Sequence, residues 1–152
     1  MRFRDAIAGD EPAVQAIVDA VLREYGMALD LDGTDRDLVD LQSSYVARGG
    51  VFRVLIDDAG VISGCGGLYP DNADQAELRK MYLLPSARGQ GSGLALLNAL
   101  VDEARARGFT RIVLDTMEKM TRAIAFYEAH GFSRDDAQIR GARCSRGYVR
   151  DL

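Results

Sequence analysis

The sequence predicts an α/β fold, with a mixed, largely antiparallel sheet and helices on both of its faces. Three features of the 152 residues lead to this prediction. Strand-like and helix-like segments follow the order β-αα-βββ-α-β-α-ββ. The apolar run 112–114, typical of a buried strand, stands between two helical patterns, which favours parallel crossovers. A glycine-rich loop at 88–93 joins another strand to one of those helices.

Two helices are predicted after a first strand at residues 2–7. Asp10 is a good N-cap, and Pro12 suits the first turn of a helix. After them an apolar stripe recurs at helical spacing, at Val14, Ile17, Val18, Val21, Leu22 and Tyr25. Thr34 and Asp37 predict a capped second, shorter helix. The apolar residues of that helix are Leu38, Leu41 and Tyr45.

Short apolar runs bounded by turn residues predict three central strands. These strands span 51–56, 61–69 and 77–84, and Pro85 closes the last of them. The helix after the glycine-rich loop ends at Gly108. Its predicted buried face consists of Leu94, Leu97, Val101 and Ala104. The remaining predicted elements are a strand at 111–116, a helix at 121–130 and strands near 132 and at 144–152.

The composition excludes several classes of protein and predicts one domain over residues 1–152. A formal charge of −4 argues against nonspecific binding of nucleic acid. No apolar run approaches the roughly 18 residues that a membrane span needs. The first residues lack the apolar stretch of a signal peptide, so a cytoplasmic location is expected. One histidine and two distant cysteines exclude a typical zinc site and suit free thiols.

The segment Arg88-Gly89-Gln90-Gly91-Ser92-Gly93 predicts an anion site. Glycine lets the backbone approach a ligand closely, and the first N–H groups of a helix lack internal partners. The helix dipole and Arg88 also favour a phosphate group. A Walker loop would need a Lys-Ser or Lys-Thr pair, and a dinucleotide loop would need glycine in place of Leu94. The pattern that remains is Arg-x-x-Gly-x-Gly, and it predicts a loop that binds a phosphorylated cofactor.

With this pattern the chain resembles the GCN5-related N-acetyltransferase (GNAT) family. The cofactor loop of that family has the form Gln/Arg-x-x-Gly-x-Gly/Ala, and Arg88, Gly91 and Gly93 fill its three positions. The segment Ala-Phe-Tyr-Glu-Ala-His-Gly-Phe at 125–132 is similar to a second motif of the family, and Glu77 precedes both. The resemblance implies the GNAT fold and acetyl-CoA as cosubstrate. It also implies transfer of the acetyl group to a primary amine of a small molecule or peptide.

The resemblance implies catalytic roles for two residues. Glu77 stands where histone-type members carry a general base, and a salt-bridged glutamate beside Arg79 is the alternative. Tyr127 is the expected general acid for the departing thiolate, and an ordinary core aromatic is the alternative. An extended strand places Glu77 about 20 Å from Leu83, at about 3.3 Å per residue. A pantetheine arm covers a comparable distance.

The residues expected to bind the cofactor are Met81, Tyr82, Leu83, Arg88, Gly89, Gln90, Gly91, Ser92, Gly93, Thr116 and Tyr127. In the family the fourth strand splays from its neighbour, often at a bulge. Residues 81–83 are therefore expected to act through their backbone, and one N–H could stabilise an oxyanion. Many members carry asparagine where Met120 stands, so Thr116 and Thr121 are the candidate replacements.

Contacts to the acceptor are expected from Tyr25, Tyr45 and Arg79. Arg79 and Arg143 could each bind a substrate carboxylate, and an ordinary surface or salt-bridge role is the alternative. The arginines between 140 and 150 make the tail locally basic, which is typical of a solvated face, and a site for an acidic substrate is the alternative. No motif identifies the acceptor, and a homodimer remains open.

These residues favour an acetyl-CoA-dependent N-acetyltransferase that transfers the group directly in a ternary complex. A noncatalytic acyl-CoA-binding or regulatory module is the alternative. The presence of both Glu77 and Tyr127 favours the enzyme. No residue excludes O-acetylation or a longer acyl donor.

Overall fold

Seven strands form one sheet in a computed structural model that describes residues 1–152. In chain order they are β1 (Arg2–Asp5), β2 (Val51–Ile56), β3 (Ile62–Pro70), β4 (Gln75–Leu83), β5 (Arg111–Thr116), β6 (Ser133–Arg134) and β7 (Arg146–Asp151). Their spatial order is β1-β2-β3-β4-β5-β7-β6. Only β4 and β5 pair in parallel, and all other neighbours are antiparallel. The mixed, largely antiparallel sheet predicted from the sequence is thus confirmed.

Three α-helices cover the two faces of this sheet, and they are α1 (Glu11–Arg23), α2 (Ser92–Ala106) and α3 (Thr121–Ala129). The apolar stripe of α1 packs with Leu38, Tyr45 and Phe52 in one core cluster. Residues of α2 and α3 pack with Leu78 and Ile112 in the other. The crossover through α2 makes β4 and β5 parallel, as predicted. No helix has the length and apolar character that crossing a bilayer requires.

The predicted second helix after α1 is wrong. Residues Arg36–Leu38 form a 3-10 turn and Gln42–Val46 form a separate π-helical turn. Asp37, which was expected to help cap a helix, instead accepts a hydrogen bond from the Tyr45 hydroxyl and pairs with Lys80 at 3.2 Å. These long-range contacts hold the segment as two short turns, because the capping side chain is engaged elsewhere.

Two smaller predictions about helices are also corrected. Asp10 precedes α1 but does not cap it, because its carboxylate accepts from Arg4 at 2.7 Å and from the Ile7 N–H at 2.8 Å. Leu94 was expected on the buried face of α2 but is 36% exposed. Leu96 and Leu100 are fully buried in its place, which turns the first turn of α2 toward solvent.

Strand β4 carries a β-bulge where it pairs with β3. Arg79 opposes Gly67, yet Tyr82 opposes Cys65, so two residues of β4 face one residue of β3 between those pairs. One of the two, Lys80, has a φ angle of 54°. Such a backbone conformation is uncommon for a residue with a side chain and marks a locally constrained site.

The other edge of β4 loses its strand partner halfway along its length. Pairing with β5 covers only Gln75–Glu77. Strand β5 continues beyond that point along β7, as far as Thr116. The two strands therefore separate after Glu77 and leave a cleft between them.

Candidate active site

The cleft between β4 and β5 continues into a cavity of about 450 Å³, termed the first cavity. Its walls come from β4, β5, the glycine-rich loop and the starts of α2 and α3. The exposed Leu94 lies on this wall, which explains why it is not part of the core. Of the predicted cofactor residues, those on the wall are Met81, Tyr82, Leu83, Arg88, Gly89, Gly91, Gly93, Thr116 and Tyr127.

The glycine-rich loop presents a row of backbone donors. The N–H groups of residues 89–94 donate to no protein acceptor. Gly89 and Gly91 have φ angles of 74° and 80°, a left-handed conformation that a side chain would strain. Gly91 is also the N-cap residue of α2, so the loop runs directly into the positive end of the helix dipole. This arrangement can bind a phosphate or pyrophosphate.

The guanidinium group of Arg88 is engaged by another part of the chain. Its Nε donates to the Leu83 carbonyl at 3.0 Å, and its terminal nitrogens bind Glu24 at 2.9 and 2.7 Å. Arg122, also on the wall, donates to Tyr25 at 3.3 Å and to Glu24 at 3.4 Å. The hydrogen bonds from Arg88, and to a smaller extent the one from Arg122, hold the pKa of Glu24 below its usual value. One carboxylate thus joins two arginines at the edge of the first cavity.

Tyr127 belongs both to the core and to the wall of the first cavity. Its ring packs edge-on against Phe126 and Phe132, with centroids 5.6 and 5.5 Å away. It is 8% exposed, and burial raises the pKa of its phenol. A neutral phenol on the cavity wall can donate a proton, so the core and functional interpretations of this residue are compatible.

A second cavity of about 350 Å³ adjoins the first. Its walls come from Thr34, β4, β5 and the loop 140–144. Six residues line both cavities: Leu78, Lys80, Tyr82, Asp115, Thr116 and Met120. The side chain of Tyr82 packs against the core cluster beneath α1 and also stands at this boundary. A ligand in each cavity could therefore meet its neighbour beside the bulge of β4.

Glu77 lines the second cavity with one of its carboxylate oxygens unengaged. Its Oε2 atom pairs with Arg140 Nη1 at 2.9 Å and with Arg79 Nε at 3.0 Å. No protein group donates a hydrogen bond to Oε1. The residue is 6% exposed, and burial raises the pKa of Glu77 while Arg79 and Arg140 lower it. The salt bridge to Arg79, which was the alternative to the general-base role, is present, and it leaves Oε1 able to accept a proton.

Some predicted site residues lie elsewhere. Tyr45 is fully buried, packs edge-on against Phe52 and lines neither cavity, so its predicted contact with the acceptor is wrong. Apolar packing buries the ring of Tyr45, and its hydroxyl donates a hydrogen bond to Asp37. The side chains of Gln90 and Ser92 also line neither cavity. They donate hydrogen bonds to the Ser86 carbonyl and to the Met1 sulfur, respectively. Only their backbone N–H groups remain candidates for cofactor contact.

Three of the remaining candidate residues line a cavity, and one does not. Thr116 lines both cavities, and Tyr25 lines the first. Thr121, the other candidate replacement for asparagine, lines neither. Arg79 lines the second cavity, where its guanidinium lies 3.6 Å from the centroid of the Tyr69 ring.

Sequence reasoning missed the ion pairs that build the second cavity. Arg140 binds both carboxylate oxygens of Asp71 at 2.7 Å. Arg143 binds Asp35, which is fully buried, at 3.1 and 2.6 Å. Arg143 thus forms a salt bridge, one of the two ordinary roles expected of it, and Arg140 joins an ion pair while its side chain stays 38% exposed. Their partners lie far away in the sequence, so no local spacing could have indicated them.

Both cysteine thiols are protonated at neutral pH. Cys65 is buried and lies 3.2 Å from the Lys80 carbonyl, and burial raises the pKa of its thiol to about 12. Cys144 lines the second cavity, and burial with nearby Asp115 raises the pKa of its thiol to about 12. Neither thiol has the thiolate character that a nucleophile requires.

The fold and the site define an α/β protein that can hold a phosphorylated cofactor in one cavity and a second ligand in the other. The profile of the Acetyltransferase (GNAT) family matches residues 15–132. The chain is 36% identical over 132 residues to the uncharacterized N-acetyltransferase YjgM of Escherichia coli K12, covering 84% of this chain and 78% of that protein. The chain belongs to the GNAT acetyltransferase family, which confirms the predicted family.

Solved structures confirm the predicted fold. A GNAT-family acetyltransferase from Staphylococcus aureus Mu50 superposes with a TM-score of 0.92 at 23% identity, covering 99% of this chain and 98% of that chain. The Salmonella typhimurium protein yncA, solved with its cofactor acetyl-CoA, superposes with a TM-score of 0.74 at 21% identity, covering 98% and 91%. The family's fold is thus present over nearly the whole chain.

Proposed function

We propose that this protein transfers the acetyl group of acetyl-CoA directly to a primary amine, with donor and acceptor bound together. Family membership supports acetyl transfer as the general activity. The related structure that holds acetyl-CoA supports the choice of donor. The observation that carries the proposal is the meeting of the two cavities beside β4, with an anion loop on one and Glu77 on the other.

The first cavity is the proposed donor site. The unpartnered N–H groups of residues 89–94 suit the pyrophosphate of acetyl-CoA, because several donors point to one anion. Beyond Glu77 the edge of β4 that faces β5 has no strand partner, so its backbone groups can pair with the pantetheine amides. The length of β4 from Glu77 to Leu83 is about 20 Å, at about 3.3 Å per residue. The residues present therefore fit an extended acyl-CoA.

The chemistry requires two protons to leave an ammonium acceptor, one before the attack and one as the amide forms, and one proton to reach the sulfur. A lysine-like amine has a pKa near 10.4 in water, so it must be deprotonated before it attacks. Glu77 Oε1 accepts this proton, directly or through water, while the two arginines keep Oε2 negative. The nitrogen then bonds to the acetyl carbon and the carbon–sulfur bond breaks. The Tyr127 hydroxyl donates its proton to the thiolate that leaves, and the second proton of the nitrogen, released as the amide forms, restores this hydroxyl through water.

Direct transfer is favoured over an acetylated protein intermediate. A covalent route would need an activated nucleophile beside the acetyl group. The thiol of Cys144 lines the second cavity but has a pKa of about 12, and Cys65 is fully buried. Both remain neutral thiols, so the amine itself is the best available nucleophile.

The test is the release of thiol from acetyl-CoA across a panel of amines, with both substrates varied. We expect release with some amines and intersecting double-reciprocal lines, as a ternary complex requires. Parallel lines would contradict direct transfer. Binding of acetyl-CoA without thiol release for any amine would favour the noncatalytic acyl-CoA-binding module instead.

A further inference from the structure

We propose that the acceptor is a small amine with a carboxylate only a few bonds from its amino group, as in an α-amino acid, and that Arg79 binds this carboxylate. This inference rests on the proposed function and names its acceptor. It comes from the four cationic side chains on the wall of the second cavity, which are Arg79, Lys80, Arg140 and Arg143.

Two of these cations are fully occupied by contacts with the segment after α1. Lys80 Nζ lies 3.3 Å from the Thr34 carbonyl and 3.2 Å from a carboxylate oxygen of each of Asp35 and Asp37. Arg143 binds both oxygens of Asp35 and donates to the Ala28 carbonyl at 3.3 Å. Their charges are balanced by buried carboxylates, so they hold the wall together and leave little capacity for a ligand.

The third cation is engaged in the same way. Arg140 binds both oxygens of Asp71 and one oxygen of Glu77. Its two terminal nitrogens are therefore both used in holding the loop 140–144 against the sheet. A substrate carboxylate would have to displace Asp71 to reach them.

Arg79 differs from the other three. Its Nε pairs with Glu77 Oε2 at 3.0 Å, whereas Nη1 and Nη2 donate to no protein group. Neither atom is among the side-chain nitrogens that are buried without a partner, so both reach open space. The guanidinium carbon of Arg79 lies over the Tyr69 ring, 3.6 Å from its centroid, and that of Arg48 lies 4.1 Å from the same centroid. Arg79 thus presents a fixed pair of free donors, the geometry that binds a carboxylate with two parallel hydrogen bonds.

The position of this pair beside Glu77 limits the length of the acceptor. The free Nη atoms belong to the guanidinium whose Nε touches Oε2, and the proton-accepting atom is Oε1 of the same carboxylate. An amine at Oε1 can bring its own carboxylate to Nη1 and Nη2 only if few bonds separate the two groups. The charges also match, because Glu77 and Arg79 form an ion pair that an amino acid zwitterion complements with its ammonium and carboxylate groups.

The experiment compares matched acceptors. For several small α-amino acids, kcat/KM is measured beside that of the corresponding carboxamide and of the decarboxylated amine, with saturating acetyl-CoA. We expect the amino acid to exceed its carboxamide by about 10- to 100-fold, since two charge-assisted hydrogen bonds are lost. A ratio near one, with thiol release intact, would overturn this inference and leave the proposed function standing. Absence of thiol release with every amine would overturn both.

Arg79→Lys and Arg79→Gln test the residue itself. We expect both variants to lose the preference for the carboxylate mainly through a higher KM for the amino acid. Arg48→Gln is the matched control, because Arg48 stacks on the same ring but lines neither cavity, and it should keep the preference. If the Arg79 variants keep the ratio and only shift the acidic limb of the pH profile, Arg79 acts through Glu77 and the inference is wrong. Thermal unfolding of each variant shows whether the fold is retained.

Discussion

The two cavities that meet beside β4 are built in opposite ways. The first is lined mainly by hydrophobic residues, 12 of 20, and its anion site consists of backbone N–H groups from one short segment. The second has six hydrophobic residues of 15, and its charged walls are held by ion pairs between distant segments. A ligand held by backbone groups constrains only a few positions, chiefly glycines. A ligand held by side chains can change whenever one side chain changes.

This difference separates what is general in the protein from what is particular. The loop 88–93 follows a pattern that many sequences could satisfy with different side chains between the glycines. The second cavity depends on the identity of each acid and base, since an unpaired buried charge is costly. We therefore expect substitutions in the second cavity to alter deprotonation and acceptor choice, and substitutions around the anion loop of the first cavity to alter donor affinity.

Glu77→Gln should have the largest effect and should act on the second cavity alone. The amide cannot accept the amine proton, so we expect kcat to fall by about 10³-fold. The KM for acetyl-CoA should stay within about twofold, because the substitution leaves the donor site in the first cavity unchanged. The kcat–pH profile of the unaltered protein should rise through an apparent pKa above 4.5, because burial raises the pKa of Glu77 and only its ionised form can accept a proton.

The control for this variant is Glu103→Gln, which removes a carboxylate paired with Arg53 and Arg107 outside both cavities. It should leave kcat unchanged. If Glu77→Gln retains the acidic limb of the profile and most of its activity, the assignment of Glu77 as the base is wrong.

Tyr127→Phe should have the next largest effect, and it separates chemistry from donor binding within the first cavity. Loss of the hydroxyl removes the proton donor for the leaving thiolate, so we expect kcat to fall by about 10²-fold. The affinity for acetyl-CoA should change little, because the ring packing against Phe126 and Phe132 is kept. Tyr148→Phe is a matched control, since Tyr148 is a buried tyrosine that lines neither cavity. A large loss of affinity with unchanged turnover would contradict the assignment.

Gly93→Leu should weaken donor binding in the first cavity without disturbing the fold. A Cβ atom at Gly93 would lie 4.0 Å from Leu83 and from Phe126, an ordinary contact distance toward the cavity wall. A larger side chain enters the donor space, so we expect the KM for acetyl-CoA to rise roughly tenfold, about 1.4 kcal/mol of binding free energy. Ala95→Leu, on an exposed position of the same helix, should change neither KM nor the melting temperature. An unchanged KM in Gly93→Leu would place the donor elsewhere.

Glu24→Gln should have the smallest effect and should raise donor affinity. Its carboxylate holds both terminal nitrogens of Arg88 and one of Arg122 at the edge of the first cavity. Exposed ion pairs are worth about 0–1 kcal/mol, so releasing the arginines to the phosphates should tighten acetyl-CoA binding by up to about fivefold. Isothermal titration calorimetry at low and high salt measures this gain. The control is Asp102→Asn, at an exposed position of α2. Weaker binding in Glu24→Gln would show that Glu24 orients Arg88 for the donor.

The sequence predicted the regions whose structure is decided locally. The strand and helix limits from Val51 to Ala129 follow from turn residues, apolar runs and glycines, and the structure agrees closely with them. The prediction of a second helix failed because the Asp37 carboxylate is engaged by Tyr45 and Lys80. Neither contact can be recognised from the local sequence pattern. The second cavity was largely invisible for the same reason. Arg140 and Arg143 have the same local pattern as any solvated basic tail.

The bulge at Lys80 changes the phase of β4. Before it, Leu78 points to the core beneath α2, and Arg79 points to the opposite face, over Tyr69. After it, the odd-numbered Met81 joins the core of Leu78, and the even-numbered Tyr82 joins the face of Arg79. Strict alternation would have exchanged the last two residues. If the same residues paired without the bulge, Met81 would take the place of Tyr82 at the boundary between the cavities, so one extra residue in a single strand fixes which side chain the two ligands share.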